Sequence, residues 1–585
     1  MKHTAIIRRP APCTTPLLET ELHPVLARVY AQRGIESAEQ LARGLKHLLP
    51  VEQLKGIDSA AALLAEAIKQ QQRILIVGDF DCDGATSSAL AVRALRLLGA
   101  QSVDYLVPNR FEYGYGLTPE IVAVAAERQP DLIVTVDNGI SSIDGVAAAN
   151  AQGIRVLVTD HHLQGSELPA AAAIVNPNQQ GDAFPSKNLA GVGVIFYVML
   201  AVRALLRKAD WFAAQGLAEP NLAELLDLVA LGTVADVVPL DHNNRILVGQ
   251  GLARIRAGKC SAGIAALIAV AKRNPSTLAA SDLGFALGPR LNAAGRLDDM
   301  SLGIELLLTD DPARAQALAQ RLDGLNHERR AIENEMKEEA MCILDEMALD
   351  EEADLPTGLC LFEPHWHQGV IGILASRIKD RLHRPVIVFA QSGDNEIKGS
   401  ARSIPGLHIR DALDAVAAGN PGLLSKFGGH AMAAGLSLAL GDFDRFRAAF
   451  DAEVRRHLGP EDLRREILSD GELAGDELSL GLAETLRAGG PWGQGFPEPL
   501  FDGTFELVSR RIVGEKHLKL VLRPVGKEQG NAQAIDAIAF NTVDDDWPVG
   551  VSQVALAYRL DVNEFNGRRS AQLMVEHIEV LSAEC

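Results

Sequence analysis

From Ser59 onward the chain switches repeatedly between two hydrophobic periods. SAAALLAEAIKQQQ carries apolar residues at helical spacing, and RILIVGD follows as a short apolar run that ends in a loop. ATSSALAVRALRLLG, TPEIVAVAAERQ and SSIDGVAAANAQG predict further helices, while SVDYLVP, DLIVTVDNG and IRVLVTDHH predict further strands. Such alternation predicts βαβ units and a mostly parallel sheet. Starting at Ala313, ARAQALAQRLDGLNHERRAIENEMKEEAMCILDEM predicts one long helix suited to a spacer, its Arg and Glu run forming a solvated face. From Gly358 a second, smaller α/β region opens with GLCLF, VIGILASRIKDRL and PVIVFA, with NEIKGS as a further strand. After about Gln494 the pattern alternates apolar and polar residues, in FDGTFELVSRRIVGEKHLKLVLRP, AIDAIAF, VALAYRL and SAQLMVEHIEV. That pattern predicts antiparallel strands of a small barrel or sandwich.

A chain of 585 residues fits three or four domains at roughly 150 residues each. The expected divisions are an N-terminal extension (1–50), a first α/β domain (51–305), a connecting helix (306–350), a second α/β domain (351–458), and a linker with a β-barrel (459–585). With 47% hydrophobic and 23% charged residues, the composition is that of a globular protein. The nearly apolar run Leu189 to Val202 falls short of the ~20 residues a bilayer span needs, so no membrane association is expected. The start, MKHTAIIRRPAPC, has no apolar core of a secretory signal. Cys13, Cys82, Cys260, Cys342, Cys360 and Cys585 are scattered without a CxxC pair, which fits reduced cytoplasmic thiols. A net charge of −20 argues against a generally basic nucleic-acid binder. It does not exclude a local basic groove, and metal-ligand carboxylates contribute to the total.

The chemistry-bearing residues lie where the first strands end. RILIV is followed by Gly78-Asp79-Phe80-Asp81-Cys82-Asp83-Gly84, LIVTV by Asp137-Asn138-Gly139, and VLVT by Asp160-His161-His162. Ligands of open parallel sheets bind beyond the strand C-termini. Three loops at that edge therefore bring five carboxylates and two imidazoles to one place. Two unit charges about 4 Å apart repel by ~4 kcal/mol at an effective dielectric of about 20, so either the carboxyls keep protons or cations fill the site. Asp oxygen with His nitrogen suits a divalent ion such as Mn²⁺, and two ions ~3.5–4 Å apart would clamp a phosphate and activate water. Each piece alone has a plainer explanation: a capping turn, a tight turn, a structural histidine pair. A calcium loop is disfavoured because the twelfth position from Asp79 is Leu90, not Glu. Asp236, between Ala235 and Val237-Val238, is expected to be buried and to need a partner, which the metal cluster would supply.

GDFDCDG, VDNG, DHH and GTVADVVPL resemble, in order and spacing, the four successive motifs of the DHH phosphoesterase family. The resemblance continues through GPRLNAAGRL (288–297), then HWHQGVIGILASRI (365–378), KGSARS (398–403) and FGGHAMAAG (427–435), which resemble the family's DHHA1-type accessory domain. The C-terminal strands resemble the OB-fold of its long exonuclease branch. The fold this implies is a parallel-sheet DHH domain joined by a long helix to a smaller α/β DHHA1-type domain, plus a C-terminal OB-fold barrel. By the family pattern Asp81, Asp83, Asp137, His161 and Asp236 hold one or two Mn²⁺ or Mg²⁺ ions. Asp79 ligates or orients one, Asp160 positions the imidazoles, and His162 contacts the scissile phosphate. Cys82 stands between two of these aspartates, where a small residue is usual, which leaves metal affinity and oxidation sensitivity open.

The implied activity is 5′-to-3′ hydrolysis of single-stranded DNA in repair and recombination, by a cytoplasmic monomer that meets a single-strand-binding protein or a helicase. Residues expected on DNA are Arg290, Asn292 and Arg296 of GPRLNAAGRL, together with Ser400, Arg402 and His430 of the accessory domain. Ser400 and Arg402 would take the terminal phosphate, since Arg grips phosphate in two-pronged fashion. The glycines of Gly428-Gly429-His430 would let backbone approach a ligand. Arg110, Tyr113 and Tyr115 sit in NRFEYGYG, whose mix of Arg, aromatics and glycines suits base stacking. Phe501, Phe505, Phe540, Trp547, Tyr558 and Phe565 are stacking candidates on the barrel, with core packing the stronger reading at each one. His365 and His367 read as structural. Two rivals remain open from sequence: a DHH phosphoesterase for short oligonucleotides or small phosphates, and a non-catalytic DNA-binding scaffold.

Overall fold

The computed structural model describes residues 4–10, 21–108, 116–350, 355–514, 516–525, 534–540, 542, 551–565 and 567–581. Arg110, Tyr113, Tyr115, Trp547 and the Phe565 side chain lie outside the described residues. The chain forms two compact units. One comprises Arg8–Asp323 with Leu468–Cys585, and the other is built on Gly324–Ile467.

The first unit is organised by a five-stranded parallel sheet in the order Val103–Leu106, Ile74–Gly78, Leu132–Val136, Arg155–Thr159, Ala173–Val175. Ile74–Gly78 and Leu132–Val136 are buried along their whole length, as expected of central strands covered by helices on both faces. Leu75, Val77, Ile133, Val156 and Val158 pack on one face against Ile121, Val122 and Val146 of the helices Pro119–Glu127 and Ile143–Ala151. The chain lays its second strand on one side of the first and its third on the other. The strand order therefore reverses between Ile74–Gly78 and Leu132–Val136, and a crevice opens at their C-terminal ends.

The same unit contains the barrel. Strands Phe501–Val513, His517–Pro524, Ile535–Ala539, Arg568–Leu581 and Gln553–Phe565 close in that order. The pattern predicted antiparallel pairing; the pair Ile535–Ala539 with Arg568–Leu581 is parallel, because it closes the barrel between non-consecutive strands, as in an OB-fold. Phe501, Phe505 and Tyr558 fill the barrel interior, with ring centroids 5.5 Å apart for Phe505 and Tyr558. Those three are core, not stacking platforms. Phe540 is half exposed and meets His517 edge-on at 4.9 Å. The segment before residue 50, read from sequence only as a mixed extension, carries the helix Pro24–Ala31 with Val25, Ala27, Val29 and Tyr30 buried. Arg33 forms a buried ion pair with Asp470 at 2.9 Å, tying this segment to the linker that precedes the barrel.

The long helix runs from Pro312 to Asp350. Its charged run is not wholly solvated: Arg329 and Glu333 are buried and paired at 2.6 Å, and Arg377 reaches Glu333 at 2.9 Å. Pairing is what makes such burial tolerable. In the second unit a mixed five-stranded sheet has the order Lys426–Gly429, Ala433–Ala439, Glu396–Arg402, Val386–Gln391, Leu359–Phe362. Only the Leu359–Phe362 and Val386–Gln391 pair is parallel. Among the described residues no helix is long and apolar enough to cross a membrane.

Candidate metal centre

The reversal point of the parallel sheet is where the acidic loops converge. Asp81 caps the helix Cys82–Leu97, its Oδ1 accepting from the amides of Asp83 (2.9 Å) and Gly84 (3.0 Å). That cap starts the helix and fixes the spacing of the Asp-x-Asp-x-Asp run. Asp83 is fully buried and both its oxygens accept from the N-terminus of the helix Gly191–Lys208, Gly191 at 2.6 Å and Val192 at 3.0 Å. Asp137 follows its strand in a left-handed conformation (φ 62°), which Asp tolerates better than most residues. A Cβ on Gly191 would lie 2.6 Å from the Asp137 Cβ, so only glycine lets that helix begin so close.

His161 Nε2 stands 3.0 Å from Asp137 Oδ1 and 3.5 Å from Asp236 Oδ2. His161 Nε2 and Asp236 Oδ2 are both buried, and neither makes a hydrogen bond within the protein. Ligand atoms of three overlapping sets lie within 4.8 Å of one another: Asp79, Asp81 and Asp137; Asp83, His161 and Asp236; Asp137, His161 and His162. The residue types fit a divalent cation with oxygen and imidazole ligands, and the orphaned atoms aim at the place such an ion would take. Asp236 ends the helix Leu226–Ala235, where the backbone dipole already disfavours a carboxylate. It is only partly buried, and Val237 beside it is 62% exposed, contrary to the burial expected from its apolar neighbours. Those neighbours line the cleft described below and not the core.

Asp160 does not join the ligand sets. It is an anchor: Oδ1 accepts from the amides of His161 (2.7 Å) and His162 (3.1 Å), and Oδ2 from the amide of Ile140 (2.9 Å). His162 Nδ1 sits 2.7 Å from Asp160 Oδ1. The two imidazoles separate electrostatically. Burial, with the neighbouring His162, pulls His161 below its ordinary value, which keeps a lone pair available for an ion. Burial also opposes charge on His162, but the hydrogen bond and charge of Asp160 outweigh it and raise the group to about 9. For Asp160 burial acts upward, and the His162 contact overcomes it, so the net shift is downward. Burial, then the charge of Asp236, raises Asp83 to about 7, and burial with Asp81 raises Asp236 to about 7. Burial and the surrounding aspartates likewise raise Asp137. Carboxyls that keep protons near neutrality are the mark of a site short of positive charge. The Cys82 thiol is buried and pushed well above its ordinary value, so it offers no thiolate to the site.

The GPRLNAAGRL residues take other posts. Asn292 Oδ1 accepts from the Cys82 amide at 2.7 Å, clamping the acidic loop from behind. Arg290 is buried, donating to Asp323 at 2.9 Å and to the Ala286 carbonyl at 2.5 Å. Arg290, expected on DNA from its motif, is thus also tied within the protein. Arg296 lies half-buried on the same helix, Gly288–Leu297.

The second unit has a locus of its own. Arg402 donates to Ser400 Oγ at 3.1 Å and to the Ala401 carbonyl at 2.8 Å, and no described carboxylate pairs with it. Burial lowers its pKa. Gly372, in the first turn of the helix Ile371–Leu382, faces both: a Cβ there would lie 2.9 Å from Arg402 Nη2 and 2.9 Å from Ser400 Oγ. A helix N-terminus, a hydroxyl and a guanidinium without a described carboxylate partner are groups that suit an anion. Gly429 (φ 147°) serves the hairpin, since a Cβ would lie 2.4 Å from the Ala433 carbonyl oxygen. His430 is exposed in that turn, its amide donating to Ala433. The Gly429 requirement is thus internal to the turn, whereas a Cβ on Gly428 would meet open space. His365 pairs with Glu339 at 2.9 Å and His367 Nδ1 accepts from the Gly369 amide at 3.0 Å, both structural roles.

Family models match in three places: the DHH family N-terminal domain at 73–233, the DHHA1 domain at 356–456 and the RecJ OB domain at 469–577. The single-stranded-DNA-specific exonuclease RecJ of Dickeya dadantii is 58% identical over 98% of this chain and 99% of its own length. The crystal structure of RecJ in complex with Mn²⁺ from Thermus thermophilus superposes with a TM-score of 0.80 at 32% identity, covering 99% of this chain and 80% of that one. The corresponding Mg²⁺ complex gives 0.74 at 31% identity, covering 99% and 79%.

Proposed function

This chain belongs to the RecJ family of single-stranded-DNA-specific exonucleases, and on that premise we propose how its residues divide the work of 5′-to-3′ hydrolysis. The protein is a Mn²⁺- or Mg²⁺-dependent exonuclease acting on single-stranded DNA. The observation that carries the assignment of chemistry to residues is the convergence of Asp79, Asp81, Asp83, Asp137, His161, His162 and Asp236 within ligand distance at the sheet's reversal point.

In this reading Asp81, Asp83, Asp137, His161 and Asp236 hold one or two ions, and Asp79 ligates or orients one. When bound, the ions supply Lewis-acid polarisation of the phosphate and a nucleophile at neutral pH. His161 remains neutral, consistent with its lowered pKa. His162, held protonated by Asp160, presents a cation to the scissile phosphate and to the charge that gathers on the leaving oxygen. Asp160 keeps both imidazoles in register through three amide hydrogen bonds.

Direction follows from the Arg402 pocket. A terminal phosphate carries about −1.5 to −2 charge, more than an internal diester, so a half-buried guanidinium without a described carboxylate, beside Ser400, favours a 5′-phosphorylated end. DNA repair and recombination are the processes in which such an activity acts, by a monomer in the cytoplasm beside a single-strand-binding protein or helicase. The described cysteines Cys82, Cys260, Cys342 and Cys360 are free thiols, which supports a reducing compartment. Neither rival has a supporting observation: the ligand set is intact, as a scaffold would not require, and the barrel exceeds what a small phosphate needs. Digestion of strands labelled at either end tests the direction. Label at the 5′ end should be released first, and first release from the 3′ end would refute it.

A further inference from the structure

Beyond the barrel's expected hold on DNA, we infer that the linker loop Gly489–Pro497, which leads into the barrel, is a positioning element of the metal centre, acting on Asp236 through Leu240. The inference rests on the reading of Asp236 as a metal ligand.

Asp236 is the C-cap of the helix Leu226–Ala235, and two features work to open that helix end. A carboxylate at a helix C-terminus opposes the backbone dipole. The next residue, Val237, is β-branched yet holds φ at 64°, a conformation that persists only where the surroundings enforce it. Val237 supplies no such enforcement itself, being 62% exposed. The chain is fixed again at Pro239 and Leu240. From the catalytic domain, Asn244 donates to the Pro239 carbonyl at 3.0 Å, and Arg245 donates to the Leu240 carbonyl at 2.9 Å. From the linker, the Gln494 carbonyl accepts the Leu240 amide at 2.7 Å.

The linker loop is built for close approach at this point. Gly493 and Phe496 exchange two backbone hydrogen bonds, 2.9 and 3.1 Å, closing a tight turn. A Cβ on Gly493 would lie 2.7 Å from Leu240 Cδ1, and one on Gly495 (φ 70°) 3.0 Å from Pro239 Cβ. The turn is itself rigid. Phe496 stacks on Trp492 at 5.0 Å, and the Arg245 guanidinium lies over the Phe496 ring at 4.3 Å. Tyr30 of the N-terminal segment donates to the Gly489 carbonyl at 2.8 Å, and Arg43 donates to the same carbonyl at 2.6 Å. Arg245 therefore joins both sides, holding Leu240 with one nitrogen while its face covers the linker's aromatic. The same loop walls a cleft of about 990 Å³ whose other side includes Val237 and Val238. The N-terminal segment and the linker thus clamp the chain at Pro239 and Leu240, three and four residues beyond a ligand, at the place where the helix end would otherwise fray.

The test is direct Mn²⁺ titration of the full-length protein, without DNA, for the wild type, Gly493→Val, Gly495→Ala, Asp236→Ala and a barrel-core control, Leu520→Ala. Partners that orient metal ligands from outside the coordination sphere change affinity by roughly 10–100-fold, so Gly493→Val and Gly495→Ala should raise the Mn²⁺ dissociation constant about tenfold. Binding of a labelled oligothymidylate in chelator should stay within about twofold of the wild type, because the proposed effect runs through the ion alone. Leu520→Ala should lower the melting temperature without moving the Mn²⁺ titration. The inference is overturned if both glycine variants titrate like the wild type, or if Leu520→Ala loses Mn²⁺ to the same extent at matched stability. Should Asp236→Ala itself leave Mn²⁺ binding unchanged, the ligand reading fails, an outcome distinct from failure of the linker's role.

Discussion

The metal centre and the Arg402 pocket are opposites in charge. One gathers Asp79, Asp81, Asp83, Asp137 and Asp236 around two imidazoles; the other holds a half-buried guanidinium beside a hydroxyl with no described carboxylate. Each concentrates one sign of charge, and that sign names the ligand it suits. The carboxylates suit divalent cations, and Arg402 suits an anion. An unpaired buried charge costs more than a mutational effect on an ordinary surface residue, so both arrangements persist for binding and not for stability.

The largest effect should come from the anionic side. Asp137→Asn removes charge at the position shared by two ligand sets and should lower hydrolysis at least roughly a thousandfold, about 4 kcal/mol of transition-state stabilisation. Steady-state digestion checks this, while oligonucleotide affinity in chelator should change little. On the cationic side, Arg402→Ala should cost roughly tenfold to a hundredfold in kcat/KM on a 5′-phosphorylated strand and erase its advantage over a 5′-hydroxyl strand. Its Mn²⁺ titration should match the wild type; a shared loss in both assays would dissolve the contrast between the two sites.

A pH series sharpens the comparison further. Asp83 and Asp236 are held up to about 7, whereas unfolded aspartates titrate near ~3.9. Between those values the metal-free folded protein keeps protons that the unfolded chain releases, so its stability falls as pH rises through that window. Mn²⁺ requires the deprotonated form, so the rise in melting temperature on adding Mn²⁺ should be larger at about pH 8 than at about pH 5.5. A constant or shrinking increment would contradict the assigned ligands. The smallest effect belongs to Gly372→Ala, whose methyl would press on Arg402 and Ser400. It should reduce the preference for a 5′-phosphate by about threefold to tenfold, measured by competition between the two strand types.

The two sites were unequally legible in the sequence. GDFDCDG, VDNG and DHH announce themselves because each follows an apolar strand, and the βαβ alternation alone places those strand ends on one edge. The partners of Asp83 were not visible: the amides of Gly191 and Val192 lie 108 and 109 residues away, and the helix they open is capped by Ala190, which has no polar side chain to advertise a helix start. Arg402 stood out in the sequence as a candidate phosphate ligand, but Gly372 did not, since a helical glycine facing a distant strand leaves no local pattern. Asn292 and Arg290 were assigned to DNA by their motif, and their partners within the protein, the Cys82 amide and Asp323, could not be read from it. The N-terminal segment looked featureless because its apolar residues pack on a linker more than four hundred positions later, as the 459-residue separation of Tyr30 and Gly489 shows. Local periodicity reports which face of an element is buried, and says nothing of which distant element buries it.

The most direct test of the account is a crystal of the protein soaked in MnCl₂, with anomalous scattering recorded near the manganese edge. The account predicts one or two peaks enclosed by Asp81, Asp83, Asp137, His161 and Asp236, and their loss in Asp137→Asn. A peak elsewhere, or an empty crevice with His161 and Asp236 turned apart, would contradict it.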